Sequence, residues 1–434
     1  MRFSTMTLGC KVNQYETGAI ESILTGRGHE LVKPGDGCDV CIINTCAVTL
    51  ESVRKSRQAI NRMKKLEPNA RIAICGCYSE LENEEVTNLG ADLISGTKDR
   101  TAFALKVEEL IMQSCNPQQN RTQEPSPCLY TFEDLPPSTT TTRTRALLKI
   151  QDGCDNYCAY YMIPYAREHS RSLPHDRIEE HAKQLENQGY KEIIITGIEI
   201  SSYGKDLPPT LSTTSLINAI STIQTAAPAA RLRLGSLDPA ILKDDFIQNL
   251  KTIPNICNHF HLSLQSGCDE TLKRMGRKYN TSQTQKAISS LRSHFKDCAI
   301  TADLITGFPG ETEAEFEQTL DTITKAKFSD MHIFPFSPRP KTKAAEMPGQ
   351  VEKHTRKERA HKATEVAAAM ANDFKESQIG KTVEVLFEQQ KHGCSVGHSS
   401  NYLEIHAQEK KAKNTMHKVR ITGFKNNRLT GEIV

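Results

Sequence analysis

Tryptophan is absent from the 434 residues, and that alone excludes nothing. A second absence excludes more. No uninterrupted apolar run approaches the ~20 residues that a membrane helix needs, so a helical membrane protein is not expected. The N-terminus, Met1-Arg2-Phe3-Ser4-Thr5-Met6-Thr7-Leu8, runs straight into a strand-like stretch. It lacks a hydrophobic signal segment with a cleavage site, so the expected address is the cytoplasm. Excess charge is missing too. Lys and Arg number 55 against 52 Asp and Glu, a net charge of +3, which by itself says little about nucleic acid. Hydrophobic content of 37% and charged content of 25% suit a soluble globular protein. The length suits two or three domains.

Cysteine is plentiful instead. Fourteen are many for a reducing compartment, where metal or redox chemistry explains them better than disulfides. Six crowd the first eighty residues: Cys10, Cys38, Cys41, Cys46, Cys75 and Cys77. Two more stand in Gly153-Cys154-Asp155-Asn156-Tyr157-Cys158-Ala159-Tyr160-Tyr161-Met162-Ile163-Pro164-Tyr165-Ala166-Arg167. That loop follows an apolar run at 146–150 and reads as a cofactor cradle.

Residues 1–112 alternate apolar runs at 3–8, 40–45, 72–75 and 92–95 with helical patterns at 16–27, 51–66 and 82–89. Short, nearly continuous apolar runs between helices predict an open parallel sheet covered on both faces. Ligands bind beyond the carboxyl ends of such strands, and Cys10, Cys46 and Cys77 each follow one. Three thiols there can hold an iron–sulfur cluster with one iron open. Free cysteines are also common as small buried hydrophobes, which suits Cys41 and Cys75 inside their runs. Residues 113–143 are polar and rich in proline and threonine, an interdomain connection. Cys115 and Cys128 have no evident role in it.

From 144 to about 340, strand runs at 146–150, 192–196, 232–234, 259–264, 299–305 and 331–336 alternate with helical patterns. The alternation predicts a partial parallel (β/α)6 barrel, whose chemistry belongs at the carboxyl ends of the strands. The 153–165 loop, Thr196-Gly197-Ile198-Glu199, Gly235-Ser236-Leu237-Asp238-Pro239, Gln265-Ser266-Gly267 and Gly307-Phe308-Pro309-Gly310-Glu311 all fall there. A basic helix at 354–362 reads as a solvated face or as a phosphate-facing one. Residues 373–434 switch to strands at 381–387, 402–406, 417–421 and 428–433, a small OB-like β-barrel of a kind that often binds nucleic acid. Its ten Lys and Arg against seven Asp and Glu make it only mildly basic, so simple docking on the core is the competing reading.

With these residues in view, the chain resembles the tRNA methylthiotransferases of the radical S-adenosylmethionine (SAM) superfamily over nearly its whole length. Supporting stretches are Leu8-Gly9-Cys10-Lys11-Val12-Asn13-Gln14, Thr196-Gly197-Ile198-Glu199-Ile200-Ser201-Ser202-Tyr203-Gly204, Arg231-Leu232-Arg233-Leu234-Gly235-Ser236 and Gly397-His398-Ser399-Ser400-Asn401-Tyr402. They point to the branch acting on threonylcarbamoyladenosine at position 37, beside the anticodon. The resemblance implies a methylthiotransferase domain at 1–112, a linker at 113–143, a radical SAM core at 144–370 and a TRAM domain at 373–434. It implies an auxiliary 4Fe–4S cluster on Cys10, Cys46 and Cys77, and a SAM-binding 4Fe–4S cluster on Cys154, Cys158 and position 161. Glu199 is implied as a hydrogen-bond partner of SAM, with Ser263, Gln265, Asp303 and Gly307 of the 307–310 turn as further liners. The family's chemistry, as the resemblance implies it, has two stages, in the first of which one SAM methylates a sulfur at the auxiliary cluster. Reductive cleavage of another gives the radical that takes the hydrogen from adenosine C2. The partners implied are the tRNA anticodon region, an electron donor and a sulfur source. A sister branch that modifies a ribosomal protein and an inactive tRNA-binding homologue are the alternatives; the 196–204 stretch favours the tRNA branch.

Three positions depart from the family pattern. Tyr161 stands where the third core cysteine belongs, and a phenol must lose a proton of pKa about 10 before it ligates iron well. Glu168 and Lys341 stand where the family prefers glycine. Impaired assembly of the core cluster is the expectation.

Overall fold

The computed structural model describes residues 1–112, 131–138, 143–208, 215–391 and 393–434; Cys115 and Cys128 lie outside them. The N-terminal strands form a five-stranded parallel sheet in the order Glu30–Leu31, Arg2–Thr7, Val40–Thr45, Arg71–Gly76, Leu93–Ile94. Side chains alternate across a strand, and both faces are used. Val40, Ile42, Ala73 and Cys75 pack with Ile20, Leu24, Phe103 and Val107 from the helices Lys11–Gly26 and Arg100–Met112. Cys41, Ile43, Ile72 and Ile74 pack on the other face with Val53, Ile60 and Met63 of the helix Leu50–Leu66. That double burial explains the unbroken apolar runs. The first helix begins at Lys11, directly after Cys10, rather than at 16. Its first turn buries Asn13, a polar residue that blurs the apolar period there.

The central strands lie in two neighbouring parallel sheets. One orders Arg231–Leu234, Glu192–Thr196 and Ala146–Lys149; the other orders Ser236–Leu237, His259–Gln265, Ala299–Thr306 and Asp330–Pro335. The six expected strands are present in chain order, with the third broken at Gly235. There the amide donates to the Ile195 carbonyl at 2.8 Å, and a Cβ would stand 2.9 Å from that same oxygen. The helices between them bury a core that includes Leu148, Ile193, Leu232, Phe260, Ile300 and Phe316. Two helices carry full capping boxes, Asn280 with Gln283 and Thr312 with Glu315, which fixes where they start.

The C-terminal unit is a closed barrel of five strands rather than the four expected: Thr382–Lys391, Cys394–Ser399, Glu404–Ala407, Arg428–Ile433 and Thr415–Lys425. The strand missing from the sequence reading is Cys394–Ser399. Its Gly397 marks a close backbone approach, since a Cβ would stand 2.1 Å from the Leu386 carbonyl. The basic segment belongs to a long helix, Lys353–Glu376. Part of its charge is turned inward: Arg356 donates to the Phe336 carbonyl at 2.8 Å, and buried Arg359 pairs with Glu311 at 2.9 Å. Among the described residues no helix is long and apolar enough to cross a membrane.

Candidate functional site

The described cysteines are free thiols. Cys10, Cys46 and Cys77 follow the strands Arg2–Thr7, Val40–Thr45 and Arg71–Gly76 at one sheet edge. Cys46 and Cys77 are buried and Cys10 is exposed. The loop before Cys10 crosses Cys46 closely: Gly9 has φ +95°, and a Cβ there would stand 2.9 Å from Cys46 Sγ. Only glycine fits both demands. Burial raises the Cys46 thiol and pushes Cys77 up to about 12; Arg167 draws Cys77 the other way, and Cys10 and Cys46 push it up further. Cys10 and Cys46 therefore both lie close to Cys77.

Cys154 and Cys158 lie buried beyond the strand Ala146–Lys149. Burial pushes Cys154 up to about 11, with Glu199 and Cys158 adding to it. Arg277 Nη1 stands 3.4 Å from Cys158 Sγ, and its other arm holds Asp238 at 3.0 Å. Glu199 is buried beside this pair, its amide donating to Gln151 Oε1 at 2.7 Å. Burial, with Asp238 near, raises its carboxyl.

Tyr161 joins the two thiol sets. Its half-buried ring packs against the cluster holding Cys77, Tyr78, Ile163 and Ala166. Burial holds its phenol well above the ordinary value, and Cys10, Cys154, Cys77 and Glu199 push the same way. Groups from both domains thus surround one phenol.

A buried ion network ties the domains together behind it. Arg167 donates to Glu16 at 2.7 Å, to Asp152 at 3.0 Å and to Asn13 Oδ1 at 2.7 Å. Lys149 and Arg100 also reach Glu16, at 3.0 and 3.1 Å. Burial alone would raise Glu16, but Arg167, Lys149 and Arg100 hold it well below the usual carboxylate range. Asn13 in turn donates to the carbonyls of Leu8 and Thr45, one residue short of Gly9 and Cys46. Both thiol loops hang on this network. The sequence reading placed Arg167 at the end of the 153–167 loop without a role and missed Glu16, Asn13 and Arg277.

The remaining expected residues divide. The Ser263 carbonyl accepts from Arg277 at 3.2 Å and from Tyr279, so Ser263 joins the Cys158 side. Gln265 takes φ +64° at the irregular end of its strand. Gly307, at φ +68°, lies against the basic helix, where a Cβ would stand 3.0 Å from Arg356 Cα; helix packing accounts for the glycine. Asp303 pairs with His261 and His332 rather than with a thiol loop.

Comparison with known proteins follows the same division. The Radical SAM superfamily matches residues 148–323, and the uncharacterized protein family UPF0004 matches residues 2–96. The threonylcarbamoyladenosine tRNA methylthiotransferase MtaB of Thermotoga maritima is 37% identical over 388 residues, 88% of this chain and 85% of that protein. The chain belongs to the radical SAM tRNA methylthiotransferase family. A tRNA-2-methylthio-N(6)-dimethylallyladenosine synthase of Natranaerobius thermophilus is 34% identical over 370 residues, 83% of this chain and 80% of that protein. Among solved structures, the radical SAM methyltransferase TsrM of Kitasatospora setae, with cobalamin and a 4Fe–4S cluster bound, superposes with a TM-score of 0.56 at 13% identity. It covers 79% of this chain and 77% of that one, a likeness of fold.

The methylthiotransferase is thus an enzyme of a class whose cofactors are SAM and 4Fe–4S clusters. The residues of this chain fit one cluster and not the other. Cys10, Cys46 and Cys77 give three soft donors at one edge, with glycine opening the space beside Cys46, a complete set for a cluster with one open iron. The core loop gives two thiols and a phenol held in its protonated form, which is an incomplete set.

Proposed function

We propose that this methylthiotransferase binds the anticodon region of tRNA and acts at C2 of N6-threonylcarbamoyladenosine at position 37. The observation that carries the reading is the meeting of two thiol sets around Tyr161, with Cys10 and Cys77 from the N-terminal sheet and Cys154 from the core loop. Replacing an unactivated aromatic hydrogen by a sulfur group needs a sulfur-bearing site and a radical site side by side. When bound, the family's cofactors supply the methyl group, the sulfur and the hydrogen abstraction. The chain's own residues hold the geometry. Arg167 and Glu16 fix the two loops to each other, and Arg277 with Asp238 braces the Cys158 side. Tyr157 and Tyr165 are exposed on the rim with ring centroids 6.0 Å apart, and they offer faces on which unstacked loop bases can lie. Exposed Lys357 and Lys362 on the long helix suit the phosphate backbone. The preference for the threonylcarbamoyl group rests on the 37% likeness to an MtaB protein and on the 196–204 and 397–402 stretches. The reading implies an electron donor, a sulfur source and a cytoplasmic address.

Tyr161 favours a second reading, in which the chain keeps its tRNA site while its core cluster stays incomplete. Mass spectrometry of tRNA nucleosides from cells with and without the gene separates the two. Loss of the 2-methylthio form of threonylcarbamoyladenosine on deletion supports the first. Unchanged nucleosides, with tRNA binding retained by the purified protein, support the second. Loss of the 2-methylthio form of dimethylallyladenosine instead overturns the choice of substrate.

A further inference from the structure

Three adjacent barrel strands each bring one polar side chain to the same level. Asp303 pairs in register with His332, and His261 pairs with Thr301, two residues before Asp303 on its strand. Period-two alternation puts His261, Asp303 and His332 on one face of the sheet. Their donor atoms all lie within 4.8 Å of one another. His261 Nε2 stands 3.2 Å from Asp303 Oδ2, and His332 Nδ1 stands 3.3 Å from Asp303 Oδ1.

Those separations bear on two arrangements, a hydrogen-bonded ion pair and a shared ion. A carboxylate bonded to protonated imidazoles draws in to about 2.7–2.9 Å. Nitrogen and oxygen ligands of one ion each stand about 2.1 Å from it; at angles of roughly 90–109° they stand about 3.0–3.4 Å apart. Both observed distances fall in the second range, and both also lie within the reach of an ion pair. His261 has the support that a ligand imidazole needs. Its Nδ1 stands 2.8 Å from Thr301 Oγ1, which leaves Nε2 for the centre of the group, and metal-binding histidines are held this way through their other nitrogen. The His332 side chain is 63% exposed, so further ligands have room. Two imidazoles and a carboxylate, with no thiol among them, suit a first-row transition metal rather than Ca²⁺ or Mg²⁺.

We propose that His261, Asp303 and His332 form a site for one divalent transition-metal ion that uses none of the cysteines, with coordination positions open to a further ligand. Asp303, implied as a SAM liner by the family resemblance, would serve as a ligand of that ion. The site is independent of which nucleoside the enzyme modifies.

The test is a Mn²⁺ titration of the full-length protein, its clusters reconstituted and held oxidised, following the six-line electron paramagnetic resonance signal of free Mn²⁺. One Mn²⁺ per chain is expected, displaced by Zn²⁺. Affinity should fall more than tenfold in Asp303→Asn and His332→Gln, and about tenfold in Thr301→Val, which removes the hydroxyl that supports His261 and also meets His259 at 3.1 Å. His332→Gln changes an exposed side chain, and unchanged thermal melting confirms its fold. No Mn²⁺ uptake at millimolar concentration, or uptake equal in the unsubstituted chain and in both ligand variants, overturns the proposal.

Discussion

Burial keeps the Tyr161 phenol protonated, and a protonated phenol is a poor partner for iron. If the ring only fills space, Tyr161→Phe should leave the iron content of the reconstituted protein unchanged; a fall would mean that the oxygen binds metal. The other two departures from the family pattern sit where the backbone turns to positive φ. Glu168 has φ +57° and ψ −149°, at the edge of a region that is essentially glycine's own and costs other residues about 1–3 kcal/mol. It cannot relax freely, because its carbonyl accepts the Cys154 amide at 2.9 Å. Glu168→Gly loses the half-exposed pair with Lys98 and adds chain entropy to the unfolded state. The net expectation is a gain of about 1 kcal/mol, read from denaturant unfolding. Lys341, at φ +69°, is a left-handed site of the same kind. The substitutions were visible in the sequence; their cost was not, because only the folded backbone shows which glycine positions need glycine.

Among the elements, the helix Lys11–Gly26 carries the greatest consequence through Glu16. Its partners Arg100, Lys149 and Arg167 are 84, 133 and 151 residues away, so nothing local marks it as more than a polar helix position. Glu16→Gln leaves three buried cations short of a counter-charge and should cost about 3–5 kcal/mol, measured by chemical denaturation. Acid should do the same. The Glu16 carboxyl is depressed, and Arg167 and Lys149 hold Asp152 at about 2 against the effect of burial. Depressed carboxylates contribute stability that is full above their unfolded pKa of about 4 and is lost as pH falls through the folded value. Stability should therefore drop between about pH 4 and pH 2, and less steeply in Glu16→Gln. Strands were legible where both faces are buried: 40–45 and 192–196 match the observed Val40–Thr45 and Glu192–Thr196. Tyr402, read as the start of a strand, sits in a turn at φ +64°. Long-range packing holds it there, and no short-range pattern carries that information.

At the scale of the whole molecule, the two ends of the barrel serve different purposes. The thiol loops occupy the carboxyl ends of the strands. At the amino ends, Arg231 and Arg233 share buried Glu192 at 2.6 Å each and donate to the carbonyls of His398, Ser399 and Ser400 in the C-terminal barrel. Tyr402 stacks on His259 and His398 with centroids 4.8 and 4.9 Å away, with the Arg233 guanidinium 4.7 Å from the ring centroid. Tyr402→Ala should weaken that docking by about 2 kcal/mol, seen as faster limited proteolysis between the barrels. Docking and RNA binding were weighed as rivals in the sequence. The dock uses one edge of the small barrel. The cysteine sites were legible because strand ends and thiols coincide, but how the two sets face each other depends on a domain interface that no single stretch records. The unequal pair of cluster sites is tested most directly by iron counting with Mössbauer spectroscopy on the reconstituted chain and on Tyr161→Cys. One 4Fe–4S cluster is expected in the unsubstituted chain and two in the variant; two complete clusters in the unsubstituted chain would contradict it.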